Sequence, residues 1–117
     1  MTESLKLTVD SQRNGVAVIY TEGYINNQGG EEIAKVAYDL INEGHSRLLL
    51  NLAGTKIVNS IGISILIEII ERMIEVDGQL AFCSLTPTIE KTFHIMGLAQ
   101  YAGIYSDEES ALGKLAG

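Results

Sequence analysis

Ser60 is the residue best placed to do chemistry in this chain. It follows the apolar run 48–52 and the polar, Gly-containing stretch 53–59, and it stands where a very apolar helix should begin. A helix start leaves backbone N–H groups without intrahelical partners and carries the positive end of the helix dipole. A serine there has two uses. As an N-cap it accepts one of those donors, which stabilises the helix by about 1 kcal/mol. As an exposed hydroxyl it can accept a phosphoryl group, whose roughly −1.5 to −2 charge the helix end tolerates. That charge would disrupt a partner surface built to meet a neutral hydroxyl. Gly62, two residues on, keeps the surface low and lets another backbone approach.

The other chemistry-bearing residues form no competing constellation. His45 follows the helix-ending Gly44, and His94 lies beside Phe93 and Met96; neither is followed by a metal-like partner at i+3 or i+4. The lone Cys83, within the apolar run 80–85, reads as a small buried hydrophobe. Glu68, Glu71 and Glu75 recur at helical spacing as a solvated face, and Asp107, Glu108 and Glu109 serve the start of the last helix. There is no G-x-S-x-G elbow, phosphate-binding loop or G-x-G-x-x-G fingerprint. No enzyme activity, metal or cofactor is expected.

The elements that must position Ser60 follow from periodicity. Residues 5–9 alternate as a half-buried strand, 10–15 form a turn-rich link ending in Asn14-Gly15, and 16–22 make a second, antiparallel strand. Residues 23–30 read as a loop. The first helix carries Ile33, Val36, Ala37, Leu40 and Ile41 on one stripe, with Glu31 and Glu32 in its first turn and Gly44 at its end. The run 48–52 suits a strand covered on both faces. From 61 to 76 the polar positions Ser64, Glu68, Glu71, Arg72 and Glu75 define one solvated helix face, with Ile63, Ile67, Ile70 and Ile74 directed elsewhere. A strand over 79–84 precedes a helix capped by Thr86 with Pro87 first, striped by Ile89, Phe93 and Met96 and stopped at Gly97. Residues 102–105 form a short last strand. Ser106 and Glu109 form a capping box for a final helix with Ala111, Leu112 and Leu115 inward. The order β-β-α-β-α-β-α-β-α predicts an α/β fold: a mixed sheet of about five strands with four helices.

At 117 residues, with 46% apolar and 20% charged residues, the chain reads as one globular domain, 1–117. Its net charge of −7 argues against nucleic acid or an anionic membrane as partner. The first residues lack the layout of a signal peptide, and the apolar-rich stretch 57–70 is too short and too polar to span a bilayer, so a cytoplasmic location is expected.

Taken together, residues 50–63 resemble the signature of the STAS domain of bacterial anti-sigma factor antagonists. Gly23-Tyr24-Ile25-Asn26 is similar to that family's Gly-Glu-Leu-Asp segment, Gly78-Gln79-Leu80 to its strand entry, and Thr92-Phe93 through Leu98 to its Leu-Phe…Gly-Leu helix. The resemblance runs over nearly the whole chain in matching order. It implies a partner switch. The unphosphorylated antagonist binds an anti-sigma factor that is also a serine kinase; phosphorylation breaks the complex, and a PP2C-type phosphatase restores it. The family's phosphoacceptor falls on Ser60, and Asn26, Asn59, Ser60, Ile61, Gly62 and Ser64 would form the partner-binding surface. Asn59 and Asn26 stand where the family has aspartates, and Ile61 where it has Ser or Thr. The alternative is an unswitched STAS subunit of a sensory complex or of an ABC-type transporter.

Overall fold

The computed structural model describes residues 5–13 and 15–116. Its elements are β1 (Lys6–Arg13), β2 (Val16–Ile25), α1 (Asn27–Asn42), β3 (Arg47–Val58), α2 (Ser60–Glu75), β4 (Gln79–Cys83), α3 (Pro87–Ile95), a 3-10 turn (Leu98–Gln100), β5 (Gly103–Tyr105) and α4 (Glu108–Ala116). The order matches the predicted one. The five strands form one sheet whose spatial order is the chain order, β1-β2-β3-β4-β5. β1 and β2 are antiparallel and every later neighbour is parallel.

Three crossovers stepping the same way along a sheet, with the usual right hand, lay their helices on one face. That is where α1, α2 and α3 lie. Alternate strand residues Ala17, Ile19, Leu48, Leu50, Leu52, Leu80 and Phe82 pack against Ile33, Ala37, Leu66, Ile69, Met73 and Phe93 in the main core. Phe82 and Phe93 meet edge to face at 5.0 Å. The intervening residues Val16, Val18, Leu49, Ala81 and Cys83 face the other way, where α4 covers them with Ala111, Leu112 and Leu115. The strand of run 48–52 is therefore covered on both faces, as its sequence requires. Cys83 is buried, and burial pushes its thiol up to about 11, the setting of an inert core cysteine.

Several boundaries differ from expectation. The first link shrinks because β1 continues to Arg13, pairing Asp10 with Val18 and Arg13 with Val16 across an irregularity. Residues 23–25, expected as loop, and the polar stretch 53–58 after the apolar run are paired strand: Glu22 opposite Gly54, Tyr24 opposite Ile57 and Ile25 opposite Val58. Between Tyr20 and Tyr24, β3 advances by six residues while β2 advances by four, so β3 carries two bulges. The bulges break the apolar-polar alternation, which makes the segment resemble a loop. Inside this stretch the Thr21 and Thr55 hydroxyls, both buried, hydrogen-bond at 2.7 Å.

Helix ends shift for capping reasons. α1 starts at Asn27, capped by Asn26, so Glu31 and Glu32 lie beyond its first turn. Asp107 caps α4 in place of Ser106: its Oδ1 accepts the Ser110 N–H at 2.8 Å, and the Ser106 capping box is not formed. Thr86 and Pro87 behave as predicted. Ile74 and Met96 are half-exposed, not core-facing; they line an open apolar groove of about 370 Å³ with Ile67, Ile70, Leu98 and Tyr101.

One polar clamp holds α4 to the sheet. The Glu108 carboxylate accepts from Arg13 at 3.1 Å, from Asn51 Nδ2 at 3.1 Å and from the Tyr20 hydroxyl. Glu108→Ala leaves three donors without their acceptor and is expected to cost about 1–3 kcal/mol in urea unfolding. Burial and the Glu108 carboxylate push Tyr20 up to about 12 from its ordinary 10. The neutral phenol is therefore favoured in the folded state, and its contribution, complete below pH 10, is lost as pH rises through about 12. Melting temperatures across that range should fall less steeply in Tyr20→Phe than in the wild type.

Candidate functional site

The parallel strands β2 and β3 end level, at the Ile25–Val58 pair, and an asparagine follows each. Asn26 and Asn59 take extended backbone conformations and cap α1 and α2. Each side-chain oxygen accepts the N–H of a glycine three residues on, Gly29 and Gly62, at 2.8 Å in both cases. The Asn59 N–H donates to the Ile25 carbonyl at 3.1 Å, which ties the start of α2 to the end of β2. The sheet thus sets two helix N-termini side by side. Neither has an acidic residue in its first turn.

Ser60 is the first residue of α2 and is exposed. The capping task that its position suggested belongs to Asn59, so the serine hydroxyl is not needed to hold the helix start. Asn59 occupies the Gly62 N–H through its side chain and the Ile63 N–H through its carbonyl. The N–H groups of Ser60 and Ile61 remain at the helix start, beside any group carried on Ser60. Asn59→Ala is expected to lower stability by about 1 kcal/mol, whereas Asn59→Asp keeps an equivalent cap; urea unfolding of the two variants checks this.

The expected surface residues divide into two groups. Ser60, Ile61 and Ser64 are exposed, and Asn26 and Asn59 are partly so. The Ser64 hydroxyl turns back to the Ser60 carbonyl at 3.1 Å. Gly62 is different: it is buried and offers no surface. The backbone that approaches it is the chain's own. A Cβ on Gly62 would collide with the Ile25 carbonyl oxygen and lie 2.9 Å from Ile25 Cγ2. Gly62 is a packing residue beneath the site.

Sequence reasoning missed Ile57. It is 58% exposed, as Ile61 is to 53%, and with Tyr24 and Lys56 it borders a recess of about 210 Å³. Its signal, an isoleucine in a polar stretch, was readable only once that stretch was recognised as strand. Two exposed isoleucines close in sequence to an exposed serine suit a protein-binding face, since isolated exposed apolar residues are common but two at one strand-helix junction give a partner something to bury.

Other chemistry is not assembled. His94 is exposed and its Nε2 lies 3.8 Å from Glu90; His45 is partly exposed after α1. Among the described residues no group of His, Cys, Asp and Glu could hold a metal ion, and no helix is long and apolar enough to cross a membrane. Glu68, Glu71 and Glu75 lie exposed along α2.

Comparison with known proteins agrees with this architecture. Residues 9–111 match the family model described as the STAS domain. A Bordetella bronchiseptica protein named as the anti-sigma factor antagonist BtrV is 23% identical over 107 residues, covering 92% of this chain and 91% of that protein. The crystal structure of an anti-sigma factor antagonist from Mycobacterium paratuberculosis superposes with a TM-score of 0.85 at 19% identity, over 97% of this chain and 96% of that one. The Bacillus cell fate determinant SpoIIAA in its phosphorylated form superposes with a TM-score of 0.73 at 19% identity, over 93% and 98% of the two chains. With the family model spanning residues 9–111, most of its length, the chain belongs to the STAS domain family.

Proposed function

We propose that this domain, residues 1–117, is an anti-sigma factor antagonist whose grip on its partner is switched at Ser60. Unphosphorylated, it binds an anti-sigma factor with serine kinase activity through Asn26, Ile57, Asn59, Ser60, Ile61 and Ser64. Transfer of the γ-phosphoryl group from the kinase's nucleoside triphosphate to the Ser60 oxygen, which gives up its proton to the kinase as the nucleoside diphosphate leaves, places negative charge on that face and separates the pair. A PP2C-type phosphatase resets it. The observation that carries the reading is Ser60 itself: exposed, first in its helix, and relieved of capping by Asn59. The name of the Bordetella relative and the phosphorylated state of a protein of the same fold support it. Intact-mass measurement of the protein from its host, with and without stress, tests it. Phosphate on Ser60 in one state supports the switch; its absence in every state with the cognate kinase present refutes it.

One observation favours a second reading. Asn26 and Asn59 cap as well as aspartates would, yet leave the face without their charge. An unswitched subunit of a sensory complex or an ABC-type transporter would keep such a face permanently bound and Ser60 unmodified. A transporter operon around the gene would favour this second reading; neighbouring kinase and phosphatase genes would favour the switch.

A further inference from the structure

The exposed apolar residues of this domain are not all scattered singly. Ile74, Met96 and Tyr101, between 50% and 67% exposed, converge on the groove of about 370 Å³ between α2 and the turn after α3. Ile67, Ile70 and Leu98 complete its apolar lining. One exposed apolar side chain is ordinary; three around one concave surface mark an interaction site. Methionine and tyrosine are also enriched where proteins meet. The groove is separate from the Ser60 face: at the rise of a helix, Ile67 stands about 10 Å further along α2 than Ser60.

One wall of the groove is acidic at its rim. Its isoleucines give way, one step round α2, to Glu71, which lines the groove, and Glu68 and Glu75 flank it a turn away on either side. No lysine or arginine lines the groove; Lys91 borders a different recess with Pro87, Glu90 and His94. Arg72, the one cation of α2, turns toward α1, its guanidinium 5.9 Å from the centre of the Tyr38 ring. Ion pairs among the described residues are made by Glu108 and Glu90, not by the three α2 carboxylates. Glu71 and Glu75 also stand at the C-terminal end of α2, where the helix dipole favours cations. They do not serve the helix they sit on.

The two walls are helical, so the groove offers no strand edge for an extended segment to join. Whatever docks there does so through side chains, as an amphipathic helix does. Ile67, Ile70 and Ile74 run along about two turns of α2, the span that anchors at i, i+4 and i+7 of a second helix cover. The charge selects the partner. A symmetric contact of two copies through the groove would bring their acidic rims together, whereas a basic flank on the incoming helix would meet them with opposite charge. We propose that the groove seats an amphipathic helix of a partner protein, with aliphatic side chains on one face and lysine or arginine beside them. The aliphatic side chains cover Ile74, Met96 and Tyr101, and the cations meet Glu71 and Glu75. This docking does not depend on the state of Ser60.

NMR titration of the isotope-labelled whole chain with synthetic helical peptides of about five turns tests the proposal. One peptide carries leucines at i, i+4, i+7 and i+11 with lysines on both flanks. A second has glutamates for those lysines, and a third has alanines for the leucines. The first should bind with a Kd of about 100 μM or tighter, shifting the amide signals of residues 67–76 and 95–101 while those of 57–61 stay in place. The other two should bind at least about tenfold more weakly. Joint Glu71→Lys and Glu75→Lys substitution should reverse the order of the lysine and glutamate peptides. Both residues are exposed, and circular dichroism checks that the variant is folded. Absence of binding, shifts centred elsewhere, equal binding of the alanine peptide, or an order unchanged by the charge reversal overturns the proposal. Groove signals that move on dilution of the protein alone also overturn it, because the occupant is then a second copy.

Discussion

Gly62→Val is expected to be the most destabilising single substitution at the site, by about 3 kcal/mol or more, with Gly62→Ala close to 2. The reason is that nothing near Gly62 can yield cheaply. The atom a Cβ would strike is the carbonyl oxygen of Ile25, held by strand pairing and by the Asn59 N–H. Relief requires α2 to move away from β2, which breaks the Asn59–Ile25 hydrogen bond and opens the core at Ile25 and Ile63. Urea unfolding with an unchanged slope measures the loss. Gly113→Ala is the informative contrast. It lies exposed inside α4, with nothing within 4 Å of the added carbon, and should stabilise by about 0.5–1 kcal/mol.

The second large effect falls on binding, and it follows from the proposed switch. Ser60→Glu should leave the melting temperature unchanged or slightly raised, because a carboxylate in the first turn of α2 complements a dipole that no native acid meets. Affinity for the anti-sigma factor should fall about 100-fold, or roughly 2.7 kcal/mol, since the charge would be buried on forming the complex, next in sequence to the exposed, apolar Ile61. Ser60→Ala should bind like the wild type and resist phosphorylation. Calorimetric titration of the three proteins with the partner separates these outcomes. Equal affinity of the Glu variant and the wild type would mean that Ser60 does not gate the face.

Features governed by short-range chemistry were legible in the sequence. Thr86-Pro87 marks the start of α3, Gly44 the end of α1, and Ala111, Leu112 and Leu115 the inner side of α4. The alternation of Leu48, Leu49 and Leu50 between two cores follows from strand geometry alone. What escaped depends on neighbours distant in sequence. Residues 53–58 are strand because β2 pairs with them across two bulges, and no local pattern announces a bulge. Asn59 and Ser60 are both good caps; the Ile25 carbonyl, thirty-four positions earlier, selects Asn59 by taking its N–H. Ser106 and Asp107 pose the same one-residue choice. Ile74 and Met96 fit a helical stripe, but their side of the helix borders an open groove.

The agreement between strand order and chain order bears on how the protein is made. During synthesis each parallel strand emerges next to a sheet edge that already exists, so no strand has to insert between two earlier ones. The hairpin of β1 and β2 can form first, and every strand-helix unit that leaves the ribosome extends it by one position. Only the face bearing Val16, Val18, Leu49, Ala81 and Cys83 must wait, uncovered, for the final residues of α4. A nascent chain halted before Glu108 would therefore present a nearly complete sheet with a bare apolar strip that includes Cys83. That strip is what a chaperone would meet, and the docking of α4 is what closes it.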